Sequence, residues 1–178
     1  MSIIHASPLP NVEIPDVPVT SFVLRHADEY PDRLAMIDGL SGQSYTFAEL
    51  GAAIHSLAGG LAARRFGKGD TLALVAPNIP DYAVVFHAVG VTGGTVTTVN
   101  PTYGAEEVRF QLNDAGASLL ITVPDFVPVA TEAIEGTGVT EIVAIGEHAE
   151  ATPLASLMGE PVGQTTLDPG DDVIVLPY

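Results

Sequence analysis

His5, His26, His55, His87 and His148 are the residues of this 178-residue chain best suited to carry a proton or hold a metal near neutral pH. None stands three to five positions from another, so no two share a helix face as a metal pair would. His55 and His87 fall within apolar helical patterns, where a hydrogen-bonded packing role is the better reading. Ser41 lies in Gly39-Leu40-Ser41-Gly42, which lacks the second spacer of a nucleophile elbow and reads as a hairpin turn. Glu106-Glu107 and Asp171-Asp172 are the acidic pairs that could work as general acid and base. The first falls at a predicted helix start, where carboxylates complement the helix dipole, and the second precedes a predicted strand. Adjacent side chains also point in different directions. Cysteine is absent, which removes thiolate catalysis, disulfides, zinc-thiolate sites and iron–sulfur clusters together.

Phosphate chemistry needs glycines spaced so that backbone can approach the anion, usually between a strand and the helix that follows. Gly67-Lys68-Gly69 runs on into Asp70-Thr71-Leu72, Gly136-Thr137-Gly138 precedes a strand, and Gly90, Gly93 and Gly94 lie between a helix and a strand. All three read as helix ends and turns. No catalytic, cofactor-binding or metal-ligating residue is therefore assigned within the chain.

The elements that would position a site are legible from pattern. Met1 to Pro18 carries Pro8, Pro10, Pro15 and Pro18, without a basic residue leading an apolar block, and reads as an extended lead-in rather than a signal peptide. A short helix is predicted over Thr20–Glu29, then two strands, Leu34–Asp38 and Gln43–Phe47, in a hairpin. Thr46-Phe47-Ala48-Glu49 is a capping box. The stripe Phe47, Leu50, Ile54, Leu57, Leu61 continues as a long helix predicted to stop at Gly67.

From Thr71 onward, apolar runs at 71–75, 95–99, 118–122, 141–145 and 173–176 alternate with predicted helices at 80–91, 105–113, 125–135 and a short one at 154–158. Strands joined by helices form a parallel sheet through right-handed crossovers, and runs that are apolar throughout are covered on both faces. The fold class is α/β: a three-layer parallel sheet flanked by helices, preceded by a helix and hairpin. Its parts are a lead-in (1–18), the helix, hairpin and capped long helix (19–70), and repeated strand–helix units (71–178). Residues 146–170, rich in Gly, Pro, Thr and Glu, read as a solvated connection.

With 6 basic and 22 acidic side chains the formal charge is −16. Such a chain has little to offer a nucleic-acid backbone or an anionic membrane surface. The uncharged stretch from Tyr82 to Ala105 is long enough for a bilayer, which takes about 20 apolar residues. Its glycines, threonines and Asn100-Pro101 split it into a helix and a strand, so no integral membrane segment is expected. The lack of cysteine fits a reducing compartment, and a cytoplasmic location is expected.

Taken in order, the fragments resemble the adenylate-forming enzymes, in the acyl-CoA synthetase branch that includes 4-coumarate:CoA ligase and firefly luciferase. Tyr30-Pro31-Asp32-Arg33 with Ala35 to Gly39 is similar to that family's entry segment, YTFAEL from Tyr45 to Leu50 to its first long helix, and Lys68-Gly69-Asp70 with Leu72-Ala73-Leu74 to its first core strand. Ala76-Pro77-Asn78 resembles its LPNS turn. The longest match runs from Gly93 to Thr122, with a threonine-rich strand, Asn100-Pro101, Tyr103, Glu106-Glu107, Gln111 and Ala115. Gly104 stands where relatives often place a capping Thr or Ser.

Asp171 to Tyr178 resembles the strand that leads, in relatives, into a loop of the form SSGTTGLPKG that holds ATP phosphates. The resemblance implies an N-terminal fragment of the large domain, ending just before that loop. It implies a parent that makes an acyl-adenylate from a small carboxylic acid and ATP with Mg²⁺, then passes the acyl group to the thiol of coenzyme A. Aryl acids are favoured over fatty acids as substrates. None of these cofactors is expected to bind the fragment tightly, the fragment is expected to be inactive, and apolar surface intended for cover should make it self-associate. Two alternatives stand beside this: a non-catalytic binding or interaction module derived from the family, and a fragment of an adenylating enzyme whose acceptor is a carrier protein.

Overall fold

The computed structural model describes residues 7–10 and 12–178; His5 and the rest of 1–6, with position 11, lie outside the described residues. Residues 7–10 and 12–18 of the lead-in contain no helix or strand. Helix α1 is Val19–Val23, shorter than predicted. Beyond it the chain closes single turns, Ala27 N–H to Leu24 O and Glu29 N–H to His26 O. Three of the five residues of α1 are β-branched, which weakens helix propagation.

Strands β1 (Leu34–Ile37) and β2 (Ser44–Thr46) pair antiparallel as the predicted hairpin. Helix α2 (Phe47–Ala63) opens on the capping box: Glu49 N–H donates to Thr46 Oγ1 and Thr46 N–H to Glu49 Oε2. It ends earlier than Gly67. Arg65, at φ 64°, takes the left-handed position, with Arg65 N–H bonded to Ala62 O and Phe66 N–H to Leu61 O. This is a Schellman ending, and the buried contact of Phe66 with the end of α2 offsets the cost of a side chain in that conformation.

The remaining elements are β3 (Thr71–Val75), α3 (Pro80–Thr92), β4 (Thr95–Thr98), α4 (Ala105–Asp114), β5 (Ala117–Thr122), a 3₁₀ turn (Pro124–Phe126) running into α5 (Val127–Ala133), β6 (Ile142–Ala144), β7 (Thr152–Pro153), a second 3₁₀ turn (Leu154–Leu157) and β8 (Val175–Pro177). Six strands form one parallel sheet in the order β7-β6-β5-β3-β4-β8. Successive side chains of β3 face opposite layers. Leu72 and Leu74 join Ile54, Leu57, Val85 and Val89 of α2 and α3, while Ala73 and Val75 join Val108 and Leu112 of α4 and Ala130 of α5. All five residues of β3 are buried, as its unbroken apolar run requires.

Two predictions are corrected. The last strand starts at Val175 instead of Val173, because Asp172 is drawn into a turn in which its Oδ2 accepts Asp168 N–H. Residues 146–170 are not a solvated connection throughout. They contribute β7 at the sheet edge, bury Leu154 and Leu157, and lay residues 157–162 across α2. Gly59 and Gly60 permit that approach: a Cβ on Gly60 would lie 1.4 Å from Leu157 O, and one on Gly59 1.8 Å from Glu160 O. Gly159 N–H donates to Ser56 O, Ser56 Oγ to Gly159 O at 2.9 Å, and Val162 N–H to His55 O. Gly59 and Gly60 therefore mark a backbone-to-backbone contact.

Candidate functional site

All strands of the sheet point the same way, so the loops after β3, β4, β5, β6 and β8 share one edge. Open parallel sheets bind ligands there, above all where the strand order reverses. Here that point lies between β3 and β5, since β4 is laid on one side of β3 and β5 on the other. Val75 and Thr122 sit side by side at its floor, and the fully buried Thr122 hydroxyl is spent on Val75 O at 2.7 Å.

Above it the hairpin leans on the start of α3. Met36, Asp38, Asn78, Ile79 and Tyr82 line a pocket of about 310 Å³. Asp81 beside this pocket accepts Tyr45 Oη–H at 3.0 Å and Gln43 Nε2–H at 2.8 Å. Burial, reinforced by the negative charge of Asp81, pushes the Tyr45 phenol up to about 12. A second groove, about 400 Å³, opens at the other end of this edge between α4 and Tyr178, lined by Tyr103, Glu106, Glu107, Phe110 and Gln111. Phe110 is 66% exposed.

Of the residues singled out by type, Glu106 and Glu107 line this second groove, and the others are not assembled at this edge. The Ser41 hydroxyl donates to Asp38 within the hairpin turn. His55 Nδ1 meets Val162 O at 2.7 Å, His87 Nδ1 meets Thr20 Oγ1 at 3.0 Å, His148 Nδ1 accepts Glu150 N–H, and His26 pairs with Glu29 on the surface. Burial holds the His87 imidazole below its ordinary range. Glu107 accepts Gly104 N–H, one half of a capping box whose other half glycine cannot supply. Asp172 takes Lys68 in an ion pair at 2.6 Å that, with its hydrogen bonds, holds its carboxyl below the usual range. Gly67 and Lys68 precede β3 and so lie at the opposite edge of the sheet. Among the described residues no three His, Asp or Glu side chains are arranged to hold a metal.

The cations are equally informative. Arg64 pairs with Glu141, Arg109 donates to Glu132 O, and Arg25 and Arg33 lie over the rings of Phe22 and Tyr30. No Lys or Arg occurs in the loops 76–79, 100–104, 123–124, 145–147 or at 178. No step through nucleotide phosphates or a magnesium ion is derived from this chain. Sequence reading named Gln111 only within the family resemblance and gave it no role. It lies on the buried face of α4 between Val108 and Leu112, and a polar residue inside such a stripe was the available signal.

Among the described residues no helix is long and apolar enough to cross a membrane. A family model described as AMP-binding enzyme matches residues 23–178. The chain is similar to 4-coumarate–CoA ligase 5 of Oryza sativa subsp. japonica, 31% identical over 98% of this chain and 33% of that protein. It is equally similar to a 4-coumarate–CoA ligase of Pinus taeda, at 31% identity and the same coverage. A long-chain-fatty-acid-CoA ligase from Archaeoglobus fulgidus shares the fold, with a TM-score of 0.88 at 22% identity over 98% of this chain and 36% of the other. The chain spans about a third of the length of these relatives. With the parallel α/β sheet and the ordered fragments already described, the match establishes that this chain belongs to the AMP-binding enzyme family.

Proposed function

We propose that the chain is the N-terminal scaffold part of an ATP-dependent carboxylate:CoA ligase of the 4-coumarate type, and that it is inactive in adenylation by itself. The reading is carried by one contrast. Similarity to 4-coumarate–CoA ligases extends over 98% of the chain, yet the ligand edge of its sheet has no cation and no glycine-rich phosphate loop. Transfer of a carboxylate to the α-phosphorus of ATP builds negative charge that must be met by positive groups or backbone donors. Those groups, with the residues for Mg²⁺ and coenzyme A, belong to polypeptide beyond these residues. Aryl acids are the favoured substrates of the whole protein, and a cytoplasmic setting suits a cysteine-free chain.

The test is ATP–pyrophosphate exchange with a panel of aryl and fatty acids, run on this chain and on the full-length ligase to which the reading assigns it. Exchange is expected only from the longer protein, and first with aryl acids. Exchange by the 178 residues alone would overturn the reading, and its absence from both would favour an interaction module. The reading also includes self-association through exposed Phe110, Val173 and Tyr178, near the free edge of β8. Light scattering is expected to show species larger than a monomer; a monomer that binds no hydrophobic dye would remove this part.

A further inference from the structure

Among the described residues, strand β8 is paired on one side, with β4. Side chains strengthen that single seam. Thr95 Oγ1 donates to Val173 O at 2.9 Å, and Thr97 Oγ1 donates to Leu176 O at 3.1 Å. Thr97 is fully buried, and behind it stands Gln111 of α4, 1% exposed. Gln111 Nε2 donates one hydrogen to Thr97 Oγ1 at 2.7 Å and the other to Thr98 O at 3.0 Å. The Thr97 hydroxyl thus accepts from α4 and donates to β8, which fixes its rotor and aims its hydrogen. The hydroxyl of Tyr178 donates to Asp114 at the end of the same helix, a second tie between α4 and the carboxyl end of β8.

Gln111 is a costly residue for filling space. Its Oε1 is buried without a hydrogen-bond partner among the described residues, where methionine would pack with no polar atom left over. What the amide supplies is direction, through two short donors placed on the last two residues of β4.

We infer that Gln111 is a positioning residue which, acting through Thr97, sets how the carboxyl end of β8 meets the ligand edge of the sheet. Its consequence for adenylation rests on the ligase reading; its effect on β8 does not. The first test uses this chain without ligands and follows amide hydrogen exchange of residues 173–176 and 178, Pro177 having no amide hydrogen. Gln111→Met and Thr97→Val are expected to speed that exchange about tenfold or more while β3 and β5 stay unchanged. Thr97→Ser, which keeps the hydroxyl, restores slow exchange, and the double variant Gln111→Met with Thr97→Val falls short of the two single effects combined, because both remove the shared Gln111–Thr97 bond. Unchanged exchange at these amides, equal acceleration in β3 and β5, or additive effects in the double variant would each overturn the inference.

The second test uses the full-length ligase. Gln111→Met is expected to lower kcat for adenylate formation about tenfold or more, as misplacement by about 1 Å can, with the carboxylate KM within about twofold. An active unmodified enzyme whose variant keeps full kcat removes the catalytic role. An inactive unmodified enzyme removes the ligase reading and leaves the exchange result to decide Gln111 alone.

Discussion

Two glycines of α2 should respond to the same substitution in opposite directions. At Gly60 an added Cβ would stand 1.4 Å from Leu157 O, whereas at Gly51 nothing lies within 4 Å. Contact at ordinary distance requires residues 157–160 to retreat by about 2 Å from α2 in Gly60→Ala, a shift that a close-packed interior cannot absorb. The retreat withdraws Leu157, 2% exposed, and Leu154, 8% exposed. It also parts Ser56 Oγ from Gly159 O and His55 Nδ1 from Val162 O, now at 2.9 and 2.7 Å. Burying a leucine is worth about 1.5–3 kcal/mol, so loosening two of them by half, with strained hydrogen bonds, costs about 3 kcal/mol. Gly51→Ala has only the gain in helix propensity, about 0.5–1 kcal/mol. For a chain of this length, Tm should fall by about 6–12 °C in the first variant and rise by about 1–4 °C in the second. Circular dichroism is the suitable probe, since the chain has no tryptophan. Two variants that move together, or a Gly60→Ala within about 1 kcal/mol of the unmodified chain, would refute the contact between 157–160 and α2.

Thr46→Ala removes the hydroxyl that accepts Glu49 N–H and should cost about 1 kcal/mol in urea unfolding, with Thr46→Ser close to neutral. The fold keeps Tyr45 as a neutral phenol, with its pKa raised from an ordinary 10 to about 12. The stability this confers is complete below pH 10 and is lost as pH rises toward 12; tyrosinate absorbance should show one late-titrating phenol that moves earlier in Asp81→Asn. His87 has the opposite sign. Its pKa is lowered by burial from 6.5, so its contribution is present above that value and lost as pH falls below it. Urea midpoints should drop less between about pH 8 and pH 5 in His87→Asn than in the unmodified chain, and equal slopes would show that burial does not lower the pKa of this imidazole.

Much of this architecture was legible because the signals were local. The Thr46–Glu49 box gives the start of α2 to the residue, and the five buried residues of β3 read as one apolar run. Errors gathered where distant residues decide. The end of α2 was placed at Gly67 by composition, but the contact of Phe66 with the core carries Arg65 into the left-handed turn. The docking of 157–162 depends on Gly59 and Gly60 about a hundred residues earlier, and no periodicity within 146–170 reports it. At the ligand edge the spacing of histidines and glycines argued against helical metal pairs and phosphate loops. It could not show that Gln111, Thr97 and Leu176 form one line, because that line crosses three elements.

The single seam of β8 also fixes an order of events during synthesis. Thr95 bonds a carbonyl 78 residues further along the chain, so at about 5–20 residues per second the ribosome delivers the partner some seconds after β4 has emerged. Through that wait the outer side of β4 is an unclaimed template that a neighbouring nascent chain could copy. Its Thr-Val-Thr-Thr composition makes the waiting surface wettable, unlike the apolar runs of β3 and β5. Arrested nascent chains that stop short of residue 173 should therefore stay dispersed with threonines at 95, 97 and 98, and aggregate when all three are valine.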